Sequence, residues 1–144
     1  MPSDGVILRR FEEADEPAVI ALWHACGLTR PWNDPVKDIR RKLDVQRDLF
    51  LVAERDGHVV GVAMAGYDGH RGWVYYLAVH PESRGAGLGR RLMDRVAADL
   101  KAMGCPKINL MIRGGNDAVA GFYDALGYGT DAVAVRALRL IPDD

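Results

Sequence analysis

Residues 79–89, which read V-H-P-E-S-R-G-A-G-L-G, are the part of this chain best suited to bind an anion. Three glycines there remove the Cβ atoms that would hold a ligand away from the backbone, so several N–H groups and a helix N-terminus can face one phosphate. The glycines are Gly85, Gly87 and Gly89. Arg84 and Arg90 add positive charge beside them. The pattern therefore predicts a phosphate cradle at residues 84–89, between a strand and a long amphipathic helix.

Two other glycine-rich phosphate loops do not fit this pattern. A Walker A loop needs Gly-Lys followed by Ser or Thr, whereas Gly89 is followed by Arg90 and Arg91. A dinucleotide-binding loop needs G-x-G-x-x-G and an acidic residue about twenty positions later, whereas this chain has G-x-G-x-G and Asn109 near that distance. The remaining alternative is a plain glycine-rich turn that starts a helix, and the strand directly before the arginine favours the cradle.

Two blocks of the sequence resemble the GNAT family of N-acetyltransferases. Residues 77–89 read L-x-V-x-P-x-x-R-x-x-G-x-G, which is similar to the family's acetyl-CoA signature R/Q-x-x-G-x-G/A. Residues 116–128 are similar to the second block, an asparagine followed by F-Y-x-x-L-G-F/Y. The resemblance covers nearly the whole chain. R-P-W-N-D-P at 30–35 and Y-D-G-H-R-G at 67–72 look like one bacterial subgroup, the YpeA-type acetyltransferases.

The resemblance implies how acetyl-CoA would be held as the acetyl donor. The cradle amides would bind its diphosphate, and residues 77–79 would pair with the pantetheine arm beside a bulge whose free N–H groups face the thioester. Tyr123 would protonate the leaving thiolate, unless it only packs its helix. Asn116 would bind the pantetheine region or cap the following helix. The implied donor-site residues are Leu77, Ala78, Val79, Arg84, Gly85, Ala86, Gly87, Leu88, Gly89, Arg90, Asn116 and Tyr123.

The general base is where this sequence departs from the family's pattern. Many members carry a glutamate on the strand before the cradle or on the strand after the long helix, where this chain has Tyr75, Tyr76 and Met111. Either the amine is deprotonated through ordered water near Glu54 or Asp68, or it arrives neutral because its own pKa is low.

Two polar loops that flank the expected thioester form the candidate acceptor pocket. In the first, Trp32 offers a flat aromatic wall beside Asn33 and Asp34, and in the second, Asp68 and His70 are close in sequence. A cationic amine would be held by Asp34 or Asp68 against Trp32, while His70 or the arginine after it would bind a carboxylate. The alternative is that Asp34 only caps a helix and that the second loop is a polar turn.

Length and composition predict one domain spanning residues 1–144. Hydrophobic residues make up 49% of the chain and charged residues 27%, which is ordinary for a globular protein. A net charge of −1 argues against a nucleic-acid-binding surface, and the one basic run, residues 37–42, is expected to be the solvated face of a helix. Residues 1–5 lack the features of a signal peptide and no apolar run could span a membrane, so we expect a cytoplasmic protein. Cys26 and Cys105 are expected to pack without a disulfide or a metal.

Periodicity and turn residues predict the elements that position these groups. Asp56-Gly57 indicates a hairpin turn, and Asp34 before a proline indicates a helix start. The predicted strands are 6–9, 49–54, 58–65, 73–79, 107–112 and 132–140, and the predicted helices are 15–26, one from Pro35, one after the cradle, and 118–126. This order predicts an α/β (α+β) fold, a mixed, mostly antiparallel sheet with helices on both faces. The GNAT resemblance implies the same layout with six or seven strands.

The leading interpretation is an acetyl-CoA-dependent N-acetyltransferase that moves the acetyl group to a primary amine of a small molecule or peptide, directly within a ternary complex. The alternative is a non-catalytic acyl-CoA-binding or sensing module, which the missing carboxylates at Tyr75, Tyr76 and Met111 favour. Tyr123 favours the enzyme. We expect no nucleic acid or membrane as partner, and a homodimer through the last strand is left open.

Overall fold

A five-stranded mixed sheet, in the order β1-β2-β3-β4-β5, organises the fold. The computed structural model describes residues 5–144. The strands are β1 (Val6–Arg10), β2 (Phe50–Arg55), β3 (His58–Tyr67), β4 (Gly72–Val79) and β5 (Ile108–Leu110). The helices are α1 (Glu16–Ala25), α2 (Pro35–Leu43), α3 (Leu88–Ala102) and α4 (Asp117–Ala125). β1 to β4 pair antiparallel, whereas β5 pairs parallel to β4 because α3 carries the chain back between them.

Two local signals in the sequence are confirmed. Asp56 and Gly57 both have positive φ, 51° and 79°, which is the backbone of a type I′ turn and matches the twist of β2 and β3. Asp34 caps α2, because its Oδ1 accepts the N–H of Val36 at 2.8 Å, and Pro35 follows at the first helical position.

Helices cover both faces of the sheet, as predicted. On one face, α3 packs its buried side onto alternate residues of β2 and β3 such as Leu51 and Ala63. That side of α3 consists of Leu88, Leu92, Met93, Val96 and Leu100. On the other face, Trp23 of α1 and Ile39 of α2 cover Phe50, Val52 and Val62. Because both faces are covered, β2 and β3 are apolar almost throughout instead of alternating.

The predicted sixth strand, 132–140, is wrong, and so is a sheet of six or seven strands. In the part of the chain that the structure describes, this segment pairs with no strand, and its apolar side chains are largely exposed, as Val133 and Leu138 are at 79% and 84%. Alternation of apolar residues indicates a side-chain preference, but a strand also needs a neighbour to pair with, and β5 is only three residues long. The end of the chain bonds to α2 instead: Asp143 accepts the N–H of Asp34 at 2.7 Å and forms an ion pair with Arg41 at 2.9 Å.

The basic run at residues 37–42 is only partly the solvated face that its composition predicts. Lys37, Arg40 and Arg41 are exposed, but Lys42 is 8% exposed and lies over β3, where its Nζ is 3.6 Å from the position that a Cβ on Gly66 would take. Burial lowers the pKa of Lys42 to about 8. The long aliphatic stem allows a lysine to occupy this inner face of α2.

The burial of Lys42 predicts a pH-dependent cost to stability. In the unfolded chain its pKa is near 10.5, so below pH 8 the folded protein must keep a poorly solvated ammonium, and that cost fades as the pH rises from about 8 to 10.5. Lys42→Met is therefore expected to raise the free energy of unfolding by about 1–3 kcal/mol at pH 7 and to lose this advantage above pH 10. Urea unfolding at the two pH values measures it. Lys101→Met, at an exposed site, should change the free energy of unfolding at pH 7 by less than about 0.5 kcal/mol, and an equal effect of both variants would contradict the explanation.

No helix among residues 5–144 is long and apolar enough to cross a membrane. The expectation about a signal peptide concerns residues 1–5, which lie outside the described residues except for Gly5.

Candidate active site

The cradle lies in the turn between β4 and α3. Gly85 and Gly87 have φ of +85° and +76°, in the left-handed region that side chains strongly disfavour. At both positions a Cβ would have no heavy atom within 4 Å, so the space in front of this backbone is open. Residues 84–87 are all exposed. The glycines are therefore required by the backbone path, and they leave the loop accessible to a ligand.

The N-terminus of α3 provides the second half of the cradle. Gly87 is the N-cap and has no side chain to accept the first N–H groups, and the first turn carries no acidic residue. The first N–H groups of a helix have no partner within the helix, and they form the positive end of its dipole. This helix start is thus suited to an anion.

Gly89 has a different reason to be glycine. A Cβ at this position would lie 3.0 Å from Cζ and 3.2 Å from Cε1 of Phe122, so the glycine lets α3 pack closely against α4. The sequence motif predicts Gly89 as part of the cradle, and the structure adds that it sets the distance between the two helices.

The two arginines of the cradle, Arg84 and Arg90, are fixed by hydrogen bonds that they donate to other residues. Arg84 donates from Nε to the carbonyl oxygen of Val79 at 3.2 Å and from Nη2 to Sγ of Cys26 at 3.4 Å. Arg90 donates to the carbonyl oxygen of Ala125, at the end of α4, at 3.3 Å. Both guanidinium groups remain exposed, so each keeps positive charge next to the cradle.

β4 has a free edge on its way to the cradle. β5 pairs only with Gly72, Trp73 and Val74, so within residues 5–144 no strand pairs with residues 75–79 on that side. β4 also bulges against β3: Val62 pairs with Ala78 and Met64 with Tyr75, which leaves two β4 residues opposite one β3 residue. The expected bulge is therefore confirmed, and the pairing of β4 with β5 ends before the bulge.

Tyr123 lies on α4 and belongs to the apolar cluster that also contains Leu88, with Leu77 and Val79 packed against it. It is 6% exposed, and its ring makes edge contacts with Phe122 and Tyr128, at centroid distances of 4.9 and 5.4 Å. It lines a cavity of about 970 Å³ between β5, α4 and the segment after α4. Burial, together with the nearby Tyr128, raises the pKa of Tyr123 to about 12, so its phenol is protonated at neutral pH. A neutral phenol is able to donate a proton.

Asn116 caps α4, as one of the two predicted roles requires. Its Oδ1 accepts the N–H of Val119 at 3.3 Å. The side-chain amide nitrogen takes no part in this bond, so capping leaves it available for a second contact.

In both candidate acceptor loops the carboxylate has the structural role that was expected as the alternative to substrate binding: Asp34 caps a helix and Asp68 closes a polar turn. Asp34 accepts a helix N–H, as described above, and Oδ1 of Asp68 accepts the N–H groups of Arg71 and His70 at 2.7 and 2.8 Å. The bond from the Arg71 N–H, which has the larger effect, and the bond from the His70 N–H lower the pKa of Asp68. Trp32 is 52% exposed, and His70 is also exposed. The carboxylates thus shape their loops, while the Trp32 and His70 side chains face solvent.

A half-buried polar cluster beside the bulge is not among the features predicted from the sequence. Nδ2 of Asn33 donates to the Tyr76 hydroxyl and to Oδ2 of Asp38, each at 2.6 Å, and the Tyr76 hydroxyl donates to the same Oδ2 at 2.6 Å. Burial, and then Asp38, raise the pKa of Tyr76. The sequence gives no local signal for this cluster: Asp38 shares a side of α2 with Lys42, four residues later, and the burial of Lys42 is itself evident only in the fold.

No group of three or more His, Cys, Asp or Glu side chains is arranged to hold a metal ion within residues 5–144. Both cysteines are free thiols.

Known proteins are similar to this chain in sequence and in fold. Residues 13–128 match the Acetyltransferase (GNAT) family. An acetyltransferase of Pectobacterium atrosepticum is 54% identical over 136 residues, which cover 94% of this chain and 96% of that protein. An acetyltransferase of Sodalis glossinidius is 55% identical over 137 residues, with the same coverage of 94% and 96%. The crystal structure of Ard1 from Thermoplasma volcanium shares the fold with a TM-score of 0.76 at 21% identity, over 89% of this chain and 85% of that chain. The chain belongs to the GNAT family of acetyltransferases.

Proposed function

We propose that this chain transfers the acetyl group of acetyl-CoA to a primary amine of a small molecule or peptide, directly within a ternary complex. The observation that supports this most strongly is the order of three features along the chain: the free edge of β4, at residues 75–79, is followed by one turn of 3₁₀ helix (Pro81–Ser83) and then by an exposed loop with left-handed glycines at an uncapped helix start. An extended ligand with amides along its length and a diphosphate at one end suits this order: the amides would pair with the strand edge, and the diphosphate would bind at the helix start.

The donor would bind along these groups in order. The N–H groups of residues 84–89 would hold the diphosphate, with Arg84 and Arg90 adding charge. The backbone of residues 77–79 would pair with the pantetheine amides as a neighbouring strand would, and the free side-chain nitrogen of Asn116 would reach the same arm. This arrangement leaves the thioester near the bulge.

In the chemical step, the amine nitrogen forms a bond to the acetyl carbon and the bond from that carbon to sulfur breaks. Tyr123 would give its proton to the departing thiolate, and with a pKa raised to about 12 its phenol carries that proton at neutral pH. An N–H of the bulge would polarise the acetyl carbonyl. No covalent acetyl-enzyme is required.

One alternative for the incoming amine is that its proton leaves through water near a carboxylate. Of the two carboxylates considered for this step, Glu54 is paired with Arg9 at 3.1 Å and Asp68 accepts two N–H groups of its own loop. Both carboxylates therefore have structural partners, which favours the other alternative, an acceptor that arrives neutral because its own pKa is low.

For the acceptor we propose a surface on the two loops that carry Trp32, Asn33 and Asp34, and Asp68 and His70. The exposed ring of Trp32 supports it, since a flat aromatic face attracts a cationic amine. We also propose that the protein works in the cytoplasm, which its two free cysteines support.

Gly87→Ala is expected to weaken acetyl-CoA binding by about 5- to 30-fold, because a side chain at a φ of +76° costs about 1–2 kcal/mol and the loop would relax out of its binding conformation. Calorimetric titration measures this. Gly104→Ala is the matched control: it also has positive φ, +84°, and open space, but it follows the other end of α3. Equal affinity losses in both variants would show a general effect on α3 and not a role of the cradle.

The experiment that tests the proposed function is thiol release. The protein is incubated with acetyl-CoA and a panel of amines, amino acids and peptides, and free thiol is measured with a chromogenic disulfide. Thiol that appears only with an acceptor is the expected result. Saturable binding of acetyl-CoA without acceptor-dependent thiol would instead support the sensing module, which Tyr75, Tyr76 and Met111 favour because they stand where other members carry a glutamate.

A further inference from the structure

Tyr76 has an unusual backbone for a residue inside a strand. Its φ is +57°, in the left-handed region, where a bulky side chain is a genuine outlier. Such a conformation costs on the order of 1–3 kcal/mol and persists only where the surroundings enforce it. Strained residues of this kind are concentrated at functional sites, so the position needs an explanation.

The bulge explains which way Tyr76 points. Val74 and Leu77 belong to the core that faces α3, and Tyr75 shares the opposite face with its partner Met64. Strict alternation would turn Tyr76 towards α3, but it packs with the core under α1 and α2. Two consecutive tyrosines therefore face the same side, and the extra residue of the bulge is Tyr76.

Three segments outside the sheet hold Tyr76 in this position. From α1, the ring of Trp23 stacks on it at a centroid distance of 4.0 Å, and Trp23 Nε1 donates to its carbonyl oxygen at 3.2 Å. From the α1–α2 loop and from α2, Asn33 and Asp38 bind its hydroxyl, each at 2.6 Å. Arg41 fixes the other oxygen of Asp38 at 2.7 Å. The contacts are numerous enough to enforce one strained conformation.

We propose that Tyr76 and Asp38 are positioning residues that fix the β4 bulge in the geometry needed for acetyl transfer. The hydrogen bond between them holds position 76 in the left-handed conformation, and this sets the direction of the neighbouring bulge N–H groups. The inference rests on the proposed function, in which one of those N–H groups polarises the acetyl carbonyl. Neither side chain has to touch the donor, because each acts through the backbone of β4.

Tyr76→Phe removes the hydroxyl but keeps the ring on Trp23. It is expected to lower kcat about 10- to 100-fold, as a small misplacement of a reacting group does, while the Kd of acetyl-CoA changes less than threefold. Asp38→Ala should give a similar loss, and the double variant should be no worse than either single variant, because both remove the same contact. Tyr75→Phe, on the adjacent and more exposed tyrosine, should leave kcat within twofold.

A second readout needs no activity and separates this proposal from the proposed function. In protein without acetyl-CoA, the Cα and Cβ chemical shifts of residues 75–77 should move in Tyr76→Phe from left-handed values at position 76 towards those of a regular strand. Unchanged shifts would overturn the proposal, even if the wild type acetylates amines. If the wild type releases no thiol with any amine, the proposed function fails, and the shift comparison still decides whether the hydroxyl fixes the bulge. A raised KM for the amine with unchanged kcat would overturn the proposal by assigning the pair to acceptor binding.

Discussion

Tyr123→Phe is expected to lower the single-turnover rate of acetyl transfer by about 100-fold, the lower end of what a positioned general acid contributes. The ring stays in its place between Phe122 and Tyr128, so only the proton donor is removed. Since burial raises the pKa of Tyr123 to about 12, the phenol remains protonated at every pH below that value, and its ionisation should not reduce the wild-type rate between pH 7 and 10.

Tyr128→Phe provides the matched control for this prediction. Tyr128 is a partly buried tyrosine of the same aromatic cluster, so the substitution changes the packing environment of Tyr123 without removing its hydroxyl. Rapid-quench measurement with enzyme in excess over acetyl-CoA should give a rate within threefold of wild type for Tyr128→Phe. An unchanged rate in Tyr123→Phe would exclude Tyr123 as the acid and leave it as a packing residue of α4.

Trp23→Ala is expected to reduce the free energy of unfolding by about 3–5 kcal/mol, the usual effect of removing a large aromatic side chain from a core. Trp23 has no exposed surface and stacks between Phe50 of β2 and Tyr76 of β4. Its removal leaves a void at the centre of the core under α1 and α2. Denaturant unfolding followed by circular dichroism measures the change.

Trp32→Ala offers a comparison within the same chain, because this tryptophan is 52% exposed. We expect a loss below about 1 kcal/mol, as for other surface substitutions. A similar loss in both variants would contradict the assignment of Trp23 to the core. In kinetic assays Trp32→Ala should instead raise the KM for the acceptor, if Trp32 forms the wall of the acceptor surface.

The parts of the structure that follow from short-range patterns are predictable from the sequence. The apolar side of α3 follows from a repeat of 3.6 residues, the β2–β3 turn follows from Asp56-Gly57, and the start of α2 follows from Asp34-Pro35. The backbone of the glycine loop belongs to this group as well, because Gly85 and Gly87 are required by the local backbone alone, whereas binding of a phosphate there stays a prediction.

The other features depend on segments that are distant in sequence. The bulge at Tyr76 depends on Asn33 and Asp38, about forty residues earlier, and no local pattern reports such a contact. Lys42 is buried because α2 lies across β3. The basic residues beside it in the sequence give no indication of this burial. The segment 132–140 has the alternation of a strand, but pairing depends on a free and sufficiently long neighbour, which is a property of the whole sheet.

The proposed acetyl transfer depends most on one contact, the binding of the coenzyme A diphosphate by the backbone N–H groups of the cradle. Titration of ¹⁵N-labelled protein with coenzyme A, and separately with pantetheine, which lacks the diphosphate, tests this directly. We predict saturable shifts of the amide signals of residues 84–89 with coenzyme A, and little change of these signals with pantetheine. Coenzyme A that fails to bind, or that binds while these amide signals stay in place, would contradict the account.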